Sequence, residues 1–386
     1  QLKSLLNLGK QPFANKYPKD IDEIKKEIKI KLNLIFCNKC NFIKIDKIVS
    51  RKLMFEEYFY LSSVNNLLKN HFVNLAKKIK KSYGSNSFVF DIGSNDGVLL
   101  EPLKKIKINC LGLDPSINVA EIANKKGLTT LVGFFDKNKE KEIIRKYKKP
   151  NVIVASSIFT HVDNPSGFIK NIHNLLDDNG VFILEIEYVV NFFKNIQFER
   201  FYFDRPNYYS ITSIFQICKK YKLSISDIES IPTHGGSVRI FIRKNGTNSN
   251  KLKKFLNYEK KFFKVNNLLQ FFKKFKLEVR ILTKKLNNFK KKEILTIGYG
   301  CPARLSTITN YGKIDKNLIK YIIEDNELKQ NRFTPGMHIP IKKMSHKIKN
   351  AKIIIVFAYD YFSDIKKRIK KYKFLYYRPI PFKKLL

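Results

Sequence analysis

The chain has 386 residues, of which 44% are hydrophobic and 32 are phenylalanine, so it can bury a large core and is expected to form two or three domains. No apolar run approaches the roughly 20 residues that span a bilayer, and no signal peptide is visible, which predicts a cytoplasmic protein without membrane insertion. The formal net charge of +42 favours polyanions, but the lysines are spread over the whole length, as an AT-rich coding sequence would also produce. Because arginine-rich patches with interleaved aromatic residues are missing, compositional drift is favoured and no specific nucleic-acid partner is expected.

The first region, residues 1–60, contains a cysteine pair with meaningful spacing, Cys37 and Cys40. One C-x-x-C turn supplies two thiolates, whereas zinc takes four ligands, so the pair is half of a tetrahedral site. No other Cys or His occurs in this region. One interpretation is a zinc-binding domain whose first cysteine pair lies upstream of Gln1, which would make the region truncated. The alternative is two partly buried free thiols on a hairpin.

The second region, residues 61–250, is organised around the segment FVFDIGSNDGVLL at residues 88–100. Its apolar start predicts a buried parallel strand, Gly93 and Gly97 the turn that leaves it, and the apolar end a helix beginning at Val98. A second strand then ends in Asp114, where a carboxylate can meet two ribose hydroxyls. This spacing predicts a mononucleotide-binding half, and a dinucleotide is disfavoured because G-x-G-x-x-G is absent. The alternative is an ordinary glycine turn, with Asp114 as a helix cap.

The elements after this cradle continue to alternate. A strand over residues 152–159, a helix ending at Gly180 and a strand over residues 181–188 predict a mostly parallel, doubly wound α/β sheet. Ligands of such sheets bind outside the carboxyl ends of the strands. The residues expected at that edge are Gly93, Asp114, Ser157 and Glu187.

Residues 251–292 form a lysine-rich stretch that is expected to be a helical connector. Apolar residues recur in it at steps of four and three, which is typical of a heptad seam. The seam consists of Leu268, Phe272, Phe275, Val279, Leu282, Leu286 and Phe289. Such a seam could dimerise, but packing on the chain's own domains is favoured, so a monomer or a homodimer is expected.

The third region, residues 293–386, opens with a strand and a glycine turn, and two further apolar strands follow. This pattern predicts a second, smaller α/β domain. Arg304 lies near the start of its first helix, where a guanidinium can bind an anion. The alternative for Arg304 is a solvated surface position.

With these segments assembled, the chain resembles the three-domain S-adenosylmethionine (SAM)-dependent sugar C-methyltransferases, which methylate a carbon of a nucleotide-linked keto-sugar. The resemblance extends over almost the whole chain and is more specific than any single motif. The matching segments are LGKQPFAN, the cysteine pair, YFYLSS, IGSNDGVLLEPL, LGLDPS, FTHVDNP, THGGSVRIF, GYGCPARLSTITNYG and EDNELKQNRFTPGMHIPI.

The resemblance implies a Rossmann-like SAM methyltransferase sheet, a small zinc-type domain before it and a second α/β domain after it. It also implies SAM as cofactor, zinc held in part by the cysteine pair, and a nucleotide-sugar substrate. The candidates for SAM binding are Asp91, Gly93, Ser94, Asn95, Gly97, Asp114, Ser157 and His161. The candidates for substrate binding are Tyr60, Ser62, Ser63, Glu187, Arg239, Tyr299 and Arg304.

One segment departs from the family pattern, which carries Tyr-His-Glu-His before a Tyr-(Phe/Tyr)-Ser segment. This chain reads Tyr202, Phe203, Asp204 and Arg205, so both histidines are gone. Carbon methylation needs a base beside the carbonyl and a donor that holds the oxyanion. Arg205 stays protonated near neutral pH and suits the donor role. The base would be Tyr202, Asp204 or His234, although His234 could equally fix a strand turn by hydrogen bonds.

Three functions therefore stand at the level of sequence. The first is a SAM-dependent C-methyltransferase acting on a nucleotide-linked keto-deoxy sugar through an enolate. The second keeps SAM but methylates oxygen or nitrogen, for which the missing histidines would be harmless. The third is a catalytically silent homologue that binds sugar nucleotide and SAM.

Overall fold

A computed structural model describes residues 2–47, 49–51, 62–64, 66–344, 350–369 and 373–386. The described chain is a mixed α/β protein with three sheets, of four, seven and six strands. Among the described residues, no helix has the length and apolarity needed to cross a bilayer.

The regular elements are numbered here in chain order. The strands are β1 (Leu2–Gln11), β2 (Ile30–Cys37), β3 (Phe42–Ile45), β4 (Phe88–Ile92), β5 (Asn109–Asp114), β6 (Thr130–Val132), β7 (Val152–Ser156), β8 (Val181–Glu187), β9 (Asn207–Tyr208), β10 (Ser224–Ile231), β11 (Ser237–Arg243), β12 (Thr296–Tyr299), β13 (Ile322–Ile323), β14 (Ile341–Lys342), β15 (Ile353–Val356), β16 (Leu375–Arg378) and β17 (Lys383–Leu385). The α-helices are α1 (Ile21–Lys25), α2 (Asn66–Tyr83), α3 (Leu100–Lys105), α4 (Ile117–Lys125), α5 (Lys137–Tyr147), α6 (Pro165–Leu175), α7 (Val189–Lys194), α8 (Ile211–Lys220), α9 (Asn250–Phe262), α10 (Val265–Lys291), α11 (Ala303–Gly312) and α12 (Phe362–Arg368).

The central sheet has the strand order β10-β11-β8-β7-β4-β5-β6. Strands β8, β7, β4, β5 and β6 run parallel, and β10 and β11 form an antiparallel edge. Every residue of β4 and β8 is buried, because helices cover both faces of a doubly wound sheet. The predicted Rossmann-like α/β sheet is therefore confirmed.

Two element boundaries in this sheet differ from the expectation. Strand β7 ends at Ser156 rather than Phe159, because Ser157 takes a φ of +60° and leaves the extended conformation. Helix α3 begins at Leu100 rather than Val98, after a longer turn.

The N-terminal sheet is antiparallel, with the order β1-β2-β3-β9. Its fourth strand, β9, comes from the segment that departs from the family pattern, so the N-terminal region is tied to the central region through backbone hydrogen bonds. Cys37 ends β2 and Cys40 lies in the turn before β3, which places both thiols on a hairpin. Both cysteines are partly exposed and free of disulfide bonds.

The C-terminal sheet has the order β14-β13-β12-β15-β16-β17, and all of its pairings are parallel except β16 with β17. The first helix of this region, α11, packs against the N-terminal strand β1 and against the connector helix α10. Tyr17 donates a hydrogen bond to the carbonyl of Cys301, with a distance of 2.9 Å between the two oxygens. These contacts hold the N-terminal and C-terminal regions together.

The connector consists of α9 and α10, and the apolar residues of its seam face the chain's own core. Leu268, Phe275, Leu282 and Leu286 are fully buried, and Phe289 is half-buried. The seam is therefore covered within one chain, as the favoured interpretation of the sequence required.

One buried carboxylate fastens the connector to the central region. Glu259 on α9 accepts hydrogen bonds from the Tyr188 hydroxyl (2.7 Å), the Ile211 amide (2.7 Å) and both the amide (2.8 Å) and hydroxyl (2.5 Å) of Thr212. The two amides open helix α8, where backbone N–H groups have no partner within the helix. Glu259 thus caps α8 from another helix.

We expect Glu259→Ala to lower the free energy of unfolding by about 3 kcal/mol, because it leaves several buried donors without an acceptor. Urea denaturation followed by circular dichroism measures this change. Glu121→Ala, an exposed substitution on α4, is the matched control and should change stability by less than about 0.5 kcal/mol. Equal effects of the two substitutions would show that the cap contributes nothing.

Candidate active site

A cavity of about 910 Å³ opens at the carboxyl ends of the central parallel strands. Its walls come from the central region, from the C-terminal turn around Gly300, and from Asn15 and Arg51 of the N-terminal region. Pockets for a single ligand usually have volumes of about 300–1,000 Å³. This cavity lies at the upper end of that range and is shared by all three regions.

The turn after β4 forms one end of the cavity, and glycine geometry shapes it. Gly93 has a φ of +76°, and a Cβ atom there would lie 2.2 Å from Ile158 Cγ2. The amides of Gly93 and Ser94 both donate to the carbonyl of Leu113, at 2.7 and 3.2 Å. Hence any side chain at position 93 would collide with Ile158, which follows β7.

Asp114 closes the same end of the cavity. Its two carboxylate oxygens accept the amides of Asn95 and Ser116, each at 2.9 Å. Because an ionised carboxylate offers about four acceptor sites, Asp114 can also accept hydrogen bonds from ligand hydroxyls. Burial raises the pKa of Asp114, although the amides of Ser116 and Asn95 oppose that shift.

The environment of this end suits a cation. Burial, followed by the nearby charges of Asp114 and Glu185, raises the pKa of Asp91 to about 8. The Ser94 hydroxyl is buried without a hydrogen-bond partner among the described residues. A ligand that carries positive charge would stabilise the ionised acids, and the sulfonium and ammonium groups of SAM have that charge. The residues present therefore fit SAM.

The predicted SAM-binding residues divide into two groups. Those on the cavity wall are Gly93, Asn95, Asp114, Ser157 and His161. Those that support the wall from behind are Asp91, Ser94 and Gly97.

A histidine–carboxylate contact that no sequence motif indicated also lies on the wall. His71 on α2 contacts both carboxylate oxygens of Glu185, at 3.0 and 3.1 Å, and Ser156 donates to the same carboxylate at 2.8 Å. Although burial opposes ionisation, His71 and Arg239 lower the pKa of Glu185 to about 2. Helix α2 and strand β8 are far apart in sequence, so no local motif indicates that His71 and Glu185 are in contact.

The opposite end of the cavity carries a line of alternating charges. Arg205 pairs with Glu187, and Arg200 lies between Glu187, at 3.8 Å, and Asp360, at 2.8 Å. Arg304 contacts Asp360 at 3.0 Å. All five side chains line the cavity and link the central region to the C-terminal region.

Only some of the predicted substrate-binding residues line the cavity. Ser62, Glu187, Tyr299 and Arg304 line the cavity. Arg304 is not the solvated surface position that the sequence left as the alternative, because it is buried, Asp360 pairs with it and the Phe357 carbonyl accepts its Nε–H at 3.0 Å.

Two substrate predictions require correction, and one cannot be placed. Arg239 lies behind the cavity wall because Glu185, at 2.7 Å, and Glu229, at 3.2 Å, hold its guanidinium in the sheet. Ser63 is also absent from the wall, and its amide donates to Asp96 at 3.3 Å. Tyr60 lies outside the described residues.

Among the four catalytic candidates, Tyr202, Arg205 and His234 line the cavity and Asp204 does not. The Asp204 carboxylate is buried and accepts a hydrogen bond at 3.3 Å from Asn15, which itself lines the cavity. Burial raises the pKa of Tyr202 to about 12. Tyr202 is therefore a poor base at neutral pH, and Asp204 does not reach the cavity.

His234 and His161 are both neutral imidazoles near Arg205. Burial lowers the pKa of His234, and Arg205 adds to the shift while Glu187 opposes it. Burial, followed by Arg205, lowers the pKa of His161 to about 3. His161 Nδ1 donates to the carbonyl of Asp204, which fixes its tautomer.

The cysteine pair supplies two of the four ligands that zinc takes. Among the described residues, no group of three or more His, Cys, Asp or Glu side chains could hold a metal ion. The hairpin geometry of Cys37 and Cys40 fits half of a structural zinc site.

This fold and this site define a SAM-dependent methyltransferase. More particularly, three family models match successive parts of the chain: "Putative zinc binding domain" over residues 1–55, "Methyltransferase domain" over residues 64–226 and "C-methyltransferase C-terminal domain" over residues 232–375. The three matched parts follow the order of the three regions, and the C-methyltransferase match supports the resemblance found in the sequence.

Individual proteins are also similar to this chain. The C-methyltransferase NovU of Streptomyces niveus is 23% identical over 347 residues, which is 87% of this chain and 82% of that protein. The ubiquinone biosynthesis O-methyltransferase of Pelagibacter ubique is 28% identical over 119 residues, which is 31% of this chain and 48% of that protein. Among solved structures, magnesium protoporphyrin IX methyltransferase from Synechocystis PCC 6803 with bound SAM has a TM-score of 0.38 at 14% identity, over 51% of this chain and 99% of that one.

Proposed function

We propose that the protein transfers a methyl group from SAM to a carbon of a nucleotide-linked keto-deoxy sugar, through an enolate of the sugar. The observation that carries this proposal is the single cavity that joins the SAM end of the central sheet to the charged wall shared with the C-terminal region. The same cavity is lined by Asp114 and by the Arg205, Glu187 and Asp360 side chains, so a substrate bound at the charged wall would lie beside the cofactor. The match to a C-methyltransferase C-terminal domain supports methylation at carbon.

SAM, when bound, supplies an electrophilic methyl group. The residues of the chain have to remove a proton from the carbon beside the ketone and to hold the negative charge that develops on the ketone oxygen. We assign the removal of this proton to His234, which is neutral and lines the cavity. We assign stabilisation of the ketone oxygen's negative charge to Arg205. Its guanidinium has enough N–H groups to bind Glu187 and the ketone oxygen at the same time. The proton on His234 then returns to solvent after the carbon–carbon bond has formed.

The same Arg205–Glu187 pair favours a second candidate function. Arg205 stands in the segment in which the family carries its histidines, and its pairing with Glu187 leaves the cavity without the usual base. Methylation of oxygen or nitrogen can proceed by positioning the acceptor, so a related sugar could be methylated there without His234. The two functions are distinguished by the atom that carries the methyl group in the product, carbon in the first and oxygen or nitrogen in the second.

The test is incubation with labelled SAM and a panel of nucleotide-linked 4-keto-6-deoxy sugars, with mass analysis of the products. We expect one methyl group per sugar, retained on carbon after acid hydrolysis. Arg205→His serves as the comparison, because it restores a family histidine. Transfer by Arg205→His but not by the natural chain would contradict the proposal, since the natural fold would then bind its ligands without catalysing the reaction. Label on oxygen or nitrogen would establish the second candidate.

A further inference from the structure

The outer surface of the connector helices α9 and α10 is strongly cationic. Every Lys and Arg between residues 251 and 292 is exposed, whereas neither acidic residue of this range is. Glu259 is fully buried as the cap of α8, and Glu278 is half-buried, with its carboxylate accepting the Phe382 amide at 3.0 Å. Lys251 pairs with Asp227 at 2.8 Å and lies at the first turn of α9. The remaining connector surface has cations but no acid of its own.

On α10 these cations form an outer ridge. Lys273, Leu277, Arg280, Lys284 and Lys291 recur at steps of four, three, four and seven, which places them on one helical face. That face is opposite the buried seam. At its centre Leu277 is 56% exposed. The outer ridge therefore combines four cations with an apolar residue.

We propose that the outer ridge of α10 is a docking surface for the anionic face of a lipid bilayer. Long cationic side chains can extend to lipid phosphates while their methylene stems and Leu277 rest against the acyl boundary. Each basic residue near an anionic surface contributes to binding, and the contributions add along one face. A nucleic-acid backbone would use the charges but would have no use for an exposed leucine.

Docking through the outer ridge leaves the active site free. No residue between 250 and 298 lines the cavity, and the opposite face of α10 is packed into the core. The ridge belongs to a helix of 27 residues that is fixed along its length by its buried seam. Its charges are therefore presented together, without the cost of ordering a flexible segment.

The experiment is cosedimentation of the full chain with vesicles of phosphatidylcholine containing about one third phosphatidylglycerol, with pure phosphatidylcholine vesicles as reference. The test variant replaces Lys273, Arg280, Lys284 and Lys291 by Gln. We expect it to bind the anionic vesicles at least about ten-fold more weakly than the natural chain. The matched control removes the same charge from exposed lysines elsewhere, namely Lys77, Lys81, Lys141 and Lys170. It should weaken binding by less than about three-fold.

The Leu277→Ser variant distinguishes binding to a bilayer from binding to other polyanions. It keeps every charge, so it should weaken vesicle binding several-fold but leave the affinity for a duplex RNA of the same charge density unchanged. An equal loss in the ridge variant and the control variant would overturn the proposal, because binding would then follow the net charge of +42 and not this surface. Binding of RNA with no binding of anionic vesicles would overturn it as well.

Discussion

Replacement of His234 by asparagine is expected to lower kcat for carbon methylation by about 10²–10⁴-fold, the usual contribution of a general base. Asparagine is the appropriate substitute because His234 has a φ of +52°, a left-handed conformation that asparagine tolerates. SAM affinity, measured by calorimetry, should stay within about two-fold, which also reports that the variant is folded. His173→Asn, a half-buried position away from the cavity, is the matched control.

The pH profile provides a second readout for His234. The base is active in its neutral form, and burial lowers the pKa of this imidazole below its ordinary value. The rate should therefore rise with pH through a value below the usual range of about 6.5 and stay level above it. Unchanged kcat in His234→Asn, or loss of SAM binding together with kcat, would contradict the assignment and leave His234 as a residue that fixes its turn.

Replacement of Asp114 by asparagine is expected to weaken SAM binding by about 100-fold. The substitution would remove the charge-assisted hydrogen bonds that the Asp114 carboxylate accepts from two ligand hydroxyls, each worth about 1.5–3 kcal/mol. The amide keeps one oxygen acceptor, so part of the contact to the backbone amides of Asn95 and Ser116 survives. Calorimetric titration with SAM measures the change.

Asp178→Asn is the control for this substitution, because Asp178 is exposed and pairs with Lys244 at 2.9 Å on the surface. It should leave the dissociation constant unchanged. Urea denaturation of Asp114→Asn separates loss of the ligand contact from unfolding of the turn. If Asp114→Asn bound SAM as tightly as the natural chain, Asp114 would be a structural cap, the alternative that the sequence left open.

The central fold could be read from the sequence because its signals are local. The apolar runs at β4 and β8, the glycines at positions 93 and 97 and the acid at the end of β5 each follow from backbone geometry within a few residues. The exact ends of the strands and helices could not be read from local signals in this way. The end of β7, for instance, depends on the left-handed φ of Ser157, which has no sequence signature.

The charged walls of the cavity could not be read in the same way. Arg239 was a candidate substrate ligand because of the family resemblance, yet Glu185 and Glu229 hold it in the sheet. His71 was not among the candidate residues, yet it contacts Glu185 across the fold. An ion pair forms wherever the tertiary structure brings opposite charges within contact distance, and residues over a hundred positions apart carry no periodic pattern that would announce it.

The sequence by itself determined the order of the regions, the Rossmann-like sheet, the glycine turn with its strand-end acid and the seam of α10, because turn geometry and the periodicity of buried residues are local properties of the chain. The tertiary structure alone decided which charged side chains face the cavity. It paired Arg205 with Glu187 and Arg304 with Asp360, and it turned Asp204 away from the wall. Those choices depend on three regions packing against one another, and burial then sets the protonation of each group according to the partners it finds there.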